Sequence, residues 1–282
     1  MKIEKGSKVF ITGAGSGIGR STAIAMGKMG SRLFLTDINR KGLDDTVEMA
    51  SKGGGEVCKS RCMDVSKFEE VAAFAGEIHK EFGPMDIIMN IAGVALYALI
   101  EDMKHEHWER IIKINLWGPI HVIESFLPEM IKAKRGYVVN VSSLSGLIGL
   151  PWHVAYAASK FGLVGVSEVL RYDLMQHNIG VTVVCPGAVD TPLKNSVVIL
   201  GVDPEREDVK EAKRRFEQHA VSPDKVAQQI VNAVQKNKFL VITSADVRFL
   251  YFFKQHIFPI FNYVMIKIAS LMNSGRYPSG TR

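Results

Sequence analysis

Tyr156 and Lys160 stand four residues apart in the stretch Tyr156-Ala157-Ala158-Ser159-Lys160. On a helix, residues at that spacing lie one above the other, so a phenol and an ammonium share one small space. A positive charge beside a phenol favours the phenolate and lowers a pKa that is ordinarily about 10. The chemistry open to the pair is proton transfer near neutral pH, with Tyr156 as donor and acceptor. Spacing alone equally describes surface packing with the amine reaching solvent. The neighbouring sequence has to decide.

A site of this kind needs elements that hold it, and the chain supplies them in alternation. Lys8 to Thr12 is a short β-rich run; Gly13-Ala14-Gly15-Ser16-Gly17-Ile18-Gly19 follows, and then Arg20 to Met29 with apolar residues at helical spacing. Strand, glycine turn and helix bring backbone N–H groups and the positive end of a helix dipole against a phosphate. A flexible turn without a ligand is the plainer reading of the same glycines. Arg32 to Asp37 is a second strand, and its closing carboxylate is placed to accept hydrogen bonds from an adenosine ribose or, more simply, to cap the segment from Asn39 onward. Arg40 and Lys41 follow closely, so the choice between NAD and NADP turns on this corner.

Helices over 41–52 and 67–82 and strands over 56–63 and 86–89 continue the pattern. A long helical stretch over 105–131 carries Asn115 and Pro119, the proline marking a kink or a boundary. Tyr137 to Val141 and Val181 to Cys185 are strands five and six, a helix follows from about Ser222, and 239–242 is a seventh strand. Near-continuous apolar strands alternating with helices predict an α/β fold: a doubly wound Rossmann-type parallel sheet of about seven strands with helices on both faces. Six strands end in small or polar residues: Gly13, Asp37, Asp64, Asn90 to Gly93, Ser143 and Pro186-Gly187. Ligands bind at the carboxyl ends of strands in open parallel sheets, so these ends form one rim. Turns favour such residues anyway, yet Tyr156 and Lys160 fall on the helix after Ser143.

The 282 residues, 47% hydrophobic and 23% charged with a formal charge of +6, describe an ordinary globular chain and give no sign of nucleic-acid binding. Cys58, Cys62 and Cys185 fit neither a disulfide framework nor a zinc pattern, and no signal peptide precedes the first strand, which predicts a cytoplasmic protein. Cys58 and Cys62 are expected on one face of their strand as small apolar fillers.

With these residues in view, the sequence resembles the short-chain dehydrogenase/reductase family over about residues 5 to 245. The motifs that carry the resemblance are Thr12-Gly13-x-x-x-Gly17-x-Gly19, Asp64, Asn90-x-Ala92-Gly93, Asn115, Ser143, Tyr156-x-x-x-Lys160 and Pro186-Gly187 with Thr191. Ile91 departs from the family's usual second Asn. The resemblance implies that Tyr156 is the general acid/base, that Lys160 lowers its pKa and holds a nicotinamide ribose, that Ser143 hydrogen-bonds the substrate oxygen, and that Asn115 supports a water chain. It also implies Ser16 and Ile18 along the pyrophosphate between Gly13, Gly17 and Gly19, Asp64 and Val65 near the adenine, and Asn90, Ala92 and Gly93 beside a ribose. Pro186, Gly187, Val189 and Thr191 are implied around the carboxamide, Asp37 as the acid selecting NAD over NADP, and a homodimer or homotetramer. Hydride transfer to a carbonyl needs a proton donor and a second hydrogen-bond donor at the developing oxyanion, roles that suit Tyr156 and Ser143.

Val94, Leu96, Tyr97, Leu144, Trp152 and His153 are expected around the substrate, an apolar set that favours a steroid-, retinoid- or lipid-like alcohol or ketone. His153 reads equally as a packing residue. The charge-rich segment 191–222, with a helix over 205–219, is a candidate lid. Residues 246–282 form a hydrophobic, basic extension whose apolar positions over 247–272 follow helical spacing but are too interrupted by charge to span a bilayer; lid, subunit interface, peripheral membrane contact and core all stand as readings. The expected function is an alcohol–carbonyl oxidoreductase; the alternative is a non-catalytic dinucleotide-binding regulator or scaffold of the same fold.

Overall fold

Six largely apolar runs and the more polar edge strand β3 form one fully parallel sheet: β1 (Lys8–Thr12), β2 (Arg32–Asp37), β3 (Glu56–Cys62), β4 (Ile87–Asn90), β6 (Gly136–Val141), β7 (Ile179–Cys185) and β9 (Leu240–Ile242), in the order β3-β2-β1-β4-β6-β7-β9. The computed structural model describes residues 2–193, 197–201, 207, 210–211, 214, 218 and 220–274. Alternate residues of each strand serve opposite layers. On one side, Val9, Ile11, Leu33 and Val139 meet Ala23 and Met26 of α1 (Gly17–Lys28), Leu43 of α2 (Arg40–Lys52) and Ile230 and Val234 of α7 (Pro223–Gln235). On the other, Phe10, Phe34, Ile88 and Val138 meet Phe74 and Ile78 of α3 (Phe68–Phe82) and Val122 and Phe126 of α5 (Gly118–Ala133). Strands covered on both faces have no polar face to show, which is why they read as unbroken apolar runs.

The chain leaves β1 toward β2 and β3, then crosses to β4 on β1's other side. The crevice beyond β1 and β4 is therefore the switch point of the sheet.

The expected 105–131 helix is two helices, α4 (His105–Ile112) and α5, joined by a π turn over Lys113–Trp117. Pro119 has no N–H for the carbonyl of Asn115 four residues back, so the α ladder cannot continue there; Gly118 N–H instead reaches Lys113 O. The strand pair β5 (Leu96–Tyr97) and β8 (Val198–Ile199), a separate two-stranded parallel ladder, has no counterpart in the sequence reading. The expectation for Cys58 and Cys62 rested on strict alternation, but the β2–β3 register slips between Leu33 and Phe34, skipping Cys58; Cys62 Sγ lies against Ile38 O. The proposed helix over 205–219 and much of the candidate lid lie outside the described residues, of which Glu207, Lys210, Glu211, Arg214 and Gln218 are helical.

Beyond β9 the chain forms α8 (Ala245–His256) and α9 (Phe258–Ser274), broken at Ile257, whose backbone leaves the helical region at φ −135° and ψ 53°. Phe261 and Met265 of α9 are buried against Leu147, Ile148, Val183 and Cys185, so one side of the extension belongs to the core. No described helix is long and apolar enough to cross a membrane.

Candidate active site

α6 (Val154–Asp173) carries Tyr156, Ser159 and Lys160 on its buried side, facing the ends of β4 and β6. Ser143, just past β6, hydrogen-bonds the Tyr156 phenol and accepts an N–H from Ser145 at 3.1 Å. Lys160 Nζ donates to Val141 O at 3.1 Å and lies 5.8 Å from the Tyr156 ring centre. Ser142 Oγ donates to Lys160 O at 2.9 Å, locking the helix to the strand end.

The electrostatics differ from what spacing suggested. Burial pushes the Tyr156 phenol above its ordinary pKa, with the Ser143 hydrogen bond pulling back against it. Burial also lowers the Lys160 amine to about 8. Lys160 is thus not the group that governs the phenol in this state, a correction to the expected depression. The physical reason is that taking a phenolate out of water costs more than an amine at this remove returns, the amine being itself a buried charge that its surroundings disfavour. Cys185 lies next to both serines, its thiol pushed up to about 12 by burial.

Asn115 sits in the π turn, fully buried. Its Oδ1 accepts Val94 N–H at 2.9 Å, while its Nδ2 donates to Val94 O at 2.9 Å and Ser159 Oγ at 3.2 Å. It therefore clamps the segment leaving β4 to α6. Asn90 Nδ2 donates to Asn140 Oδ1, which continues through Asn140 Nδ2 to Ser167 Oγ, both at 2.9 Å. Asn90 Oδ1 is buried with no protein donor, the kind of acceptor a bound hydroxyl satisfies.

The glycine turn fits a dinucleotide's diphosphate. Ser16 is extended and its hydroxyl caps nothing, so the first-turn N–H groups of α1 carry no side-chain partner. Gly13, at φ +66°, brings its backbone so close to Ala92 that a Cβ would stand 2.7 Å from Ala92 N and Cα. A Cβ on Gly17 would meet the Thr191 side chain at 2.9 Å, and one on Gly19 would run into Gly13 O. The turn, the β4 loop and the β7 loop are in this way packed edge to edge, with Ile18, Gly93, Pro186, Gly187, Val189 and Thr191 all on one cleft with Ser143, Tyr156 and Lys160.

Asp37 stands between its two sequence readings. Its Oδ2 accepts Gly15 N–H and its Oδ1 accepts Asn39 N–H, both at 2.8 Å, so it shapes the glycine turn; the cap of α2 is Asn39, whose Oδ1 takes Gly42 N–H. Asp64 accepts Ser66 N–H at 2.9 Å, and Val65 packs against Gly118 with its carbonyl 3.0 Å from His121 Nδ1.

The expected substrate wall is redrawn. Val94 and Tyr97 line the cleft, joined by Ile91, Leu193 and Val197, whereas Leu96 is buried among Ala98, Ile111 and Ala155. Leu144 turns away from the cleft: its N–H donates to Pro186 O at 2.7 Å and its side chain packs with the α9 cluster. Trp152, held at φ +66°, sends its indole N–H to Asn273 Oδ1 of α9 at 2.8 Å. His153 stacks on Tyr97 at 3.9 Å between ring centres and bonds Pro151 O, so it stands behind the wall. His153 does meet the Tyr156 ring edge-on at 6.2 Å between centres, whereas Leu144 and Trp152 are held by α9 and its neighbours, so adjacency in sequence was only a partial guide to adjacency in space. Thr12, present in the glycine motif but assigned no role, accepts N–H bonds from Ile91 at 3.0 Å and Ala92 at 3.1 Å, fixing the β4 loop. Leu193 and Val197 fall within the segment 191–222 expected as a lid, and both line the cleft, although neither was singled out by itself.

Comparison with known proteins bears on the family and the fold. Residues 7–199 match the model of the short chain dehydrogenase family. The chain is 34% identical over 246 residues to the putative oxidoreductase SadH of Mycobacterium tuberculosis, covering 86% of this chain and 88% of that protein. Among solved structures, a short-chain dehydrogenase/reductase from Burkholderia phymatum in complex with NAD superposes with a TM-score of 0.78 at 27% identity, covering 90% of this chain and 96% of the other. A single-residue variant of the actinorhodin polyketide ketoreductase with NADPH gives a TM-score of 0.76 at 26% identity, covering 86% and 97%.

Proposed function

This chain belongs to the short-chain dehydrogenase family, and on that premise we propose that it is an NAD-preferring oxidoreductase that interconverts an alcohol and a ketone or aldehyde on an apolar molecule. The observation that carries the proposal is the meeting of Tyr156, Ser143 and Lys160 in a cleft otherwise walled by Ile91, Val94, Tyr97, Leu193 and Val197. A nicotinamide dinucleotide, as bound by the two solved relatives, supplies the hydride.

The protein's own part is protonation and orientation. The raised pKa keeps the Tyr156 phenol protonated through the neutral range, ready to give its proton to a carbonyl oxygen, while the Ser143 hydroxyl is the second donor to the developing oxyanion. Lys160, beside Gly93 and Val141, is placed to hold ribose hydroxyls and, in its charged form, to ease the return of the proton. The α1 N-terminus with Ser16 and Ile18 would receive the diphosphate, and Asp37 would disfavour an extra phosphate on the adenosine ribose by charge repulsion.

Replacing Tyr156 by Phe should lower kcat at least about 100-fold while leaving dinucleotide affinity, read by nicotinamide fluorescence, within a few-fold. Retention of turnover in that variant would refute the assignment. A kcat/KM for NADP equal to or above that for NAD would refute the cofactor preference. Screening NADH formation across steroids, retinoids, fatty alcohols and short alcohols tests the substrate class; activity confined to short polar alcohols would overturn it.

A further inference from the structure

α9 is mostly apolar, interrupted by Asn262, Lys267, Ser270 and its last two residues, with Lys267 its single charged residue, yet only one of its sides is packed. Phe261 and Met265 face the core, whereas Ile260, Val264, Ile266 and Leu271 are exposed, Leu271 at 75%. Phe249 and Phe252 extend the exposed apolar surface along α8. A helix with large apolar side chains on its outer side as well as its inner one is found covered on both, by protein or by lipid. Contiguous exposed apolar surface of this kind marks an interaction face.

Charge says what covers it. Asp246 is the last acidic residue of the sequence; residues 247–282 hold Arg248, Lys254, Lys267, Arg276 and Arg282 and no Asp or Glu. Lys254 is spent inward, its Nζ donating to Leu147 O at 2.5 Å. Arg248 and Lys267 are exposed among the apolar residues, where long stems let the charge rise to a headgroup while the chain stays in apolar surroundings. Apart from Asp246 in the first turn of α8, the charges on this surface are positive, a set that complements a second copy of itself poorly. It does complement an anionic surface.

We propose that the outer face of α8 and α9 seats on the surface of an anionic phospholipid bilayer, lying in the interface rather than crossing it. Neither helix is long and apolar enough to cross. The assignment is independent of the reaction the cleft performs.

Flotation of the full-length protein with vesicles tests it, using phosphatidylcholine alone and phosphatidylcholine with about one part in three phosphatidylglycerol. The protein should float with the anionic vesicles at low salt and be partly released as salt is raised. Joint replacement of Ile260, Val264 and Leu271 by Ser should abolish flotation while the thermal melt is unchanged, since all three side chains are exposed. The R248E/K267E variant should lose at least about tenfold in the bound fraction on anionic vesicles, following the contribution of each basic residue near a charged membrane. The proposal is overturned if the native protein stays at the bottom of the gradient with both vesicle types, or if the triple-Ser variant floats as the native protein does. It is equally overturned if that variant instead breaks a native oligomer that never floats, which would make the face a contact between copies.

Discussion

Lys160 shows how much of a buried charged residue's behaviour lies outside its spacing. Four residues of separation put the amine beside the phenol, and the helix delivers that arrangement. Desolvation is a property of the finished core, and it is desolvation that takes the amine down to about 8 and the phenol upward. The unfolded chain holds the Lys160 proton up to about pH 10.5, the folded chain only to about 8. Between those values the unfolded state binds more protons, so this residue makes stability rise with pH across the window and costs the fold on the order of 3 kcal/mol below it. Lys160→Met should therefore raise the midpoint of thermal unfolding at pH 7, an advantage that shrinks toward pH 10.5, while turnover is lost. A melting temperature unchanged by the substitution at pH 7 would contradict the burial cost. Thr12 makes the complementary case: its hydroxyl accepts two N–H groups of the β4 loop. Thr12→Val leaves both donors unpaired and should destabilise by roughly 2 kcal/mol, with Thr12→Ser close to native; urea titration measures both. The motif contained Thr12, but only the loop's approach reveals which groups it serves.

At the scale of elements, the strands and most helices were legible because each has a period or an unbroken apolar run long enough to register, from Lys8–Thr12 to Leu240–Ile242. The β5–β8 ladder was not, because two residues on each side, about a hundred positions apart, have no pattern of their own. The π turn lay half in view: Pro119 announced a break, and the fold resolved it as a widened turn that buries Asn115. The glycine turn yields a sharp test. Gly13→Ala meets both a left-handed φ of +66° and the Ala92 backbone at 2.7 Å, and neither a rotamer change nor a side chain can give way there. Dinucleotide binding should fall at least about tenfold, with roughly 1–3 kcal/mol or more lost in stability. A Gly13→Ala protein with native affinity by isothermal titration would show that the β4 loop tolerates displacement.

Across the whole molecule, the C-terminal helices are part of the fold rather than an appendage. Composition marked residues 246–282 as apolar and basic; which side would pack was hidden, since helical spacing alone does not say where the core offers a partner. The partners are Leu147, Ile148, Val183 and Cys185, beneath the Ser143 loop. Phe261→Ala should cost about 3 kcal/mol in chemical denaturation, in the range for removing a buried aromatic ring. A cost near zero would mean that α9 rests on the domain without holding it. The tie between Trp152 and Asn273 has a practical consequence at the bench. The tryptophan stands just ahead of α6, separated from it by His153 alone, so the end of α9 is tied to the segment that leads into the helix of Tyr156 and Lys160. A purification handle joined at the carboxyl end would tug on that tether, whereas one joined ahead of β1 would not act on it, and turnover compared between the two fusions would register the difference.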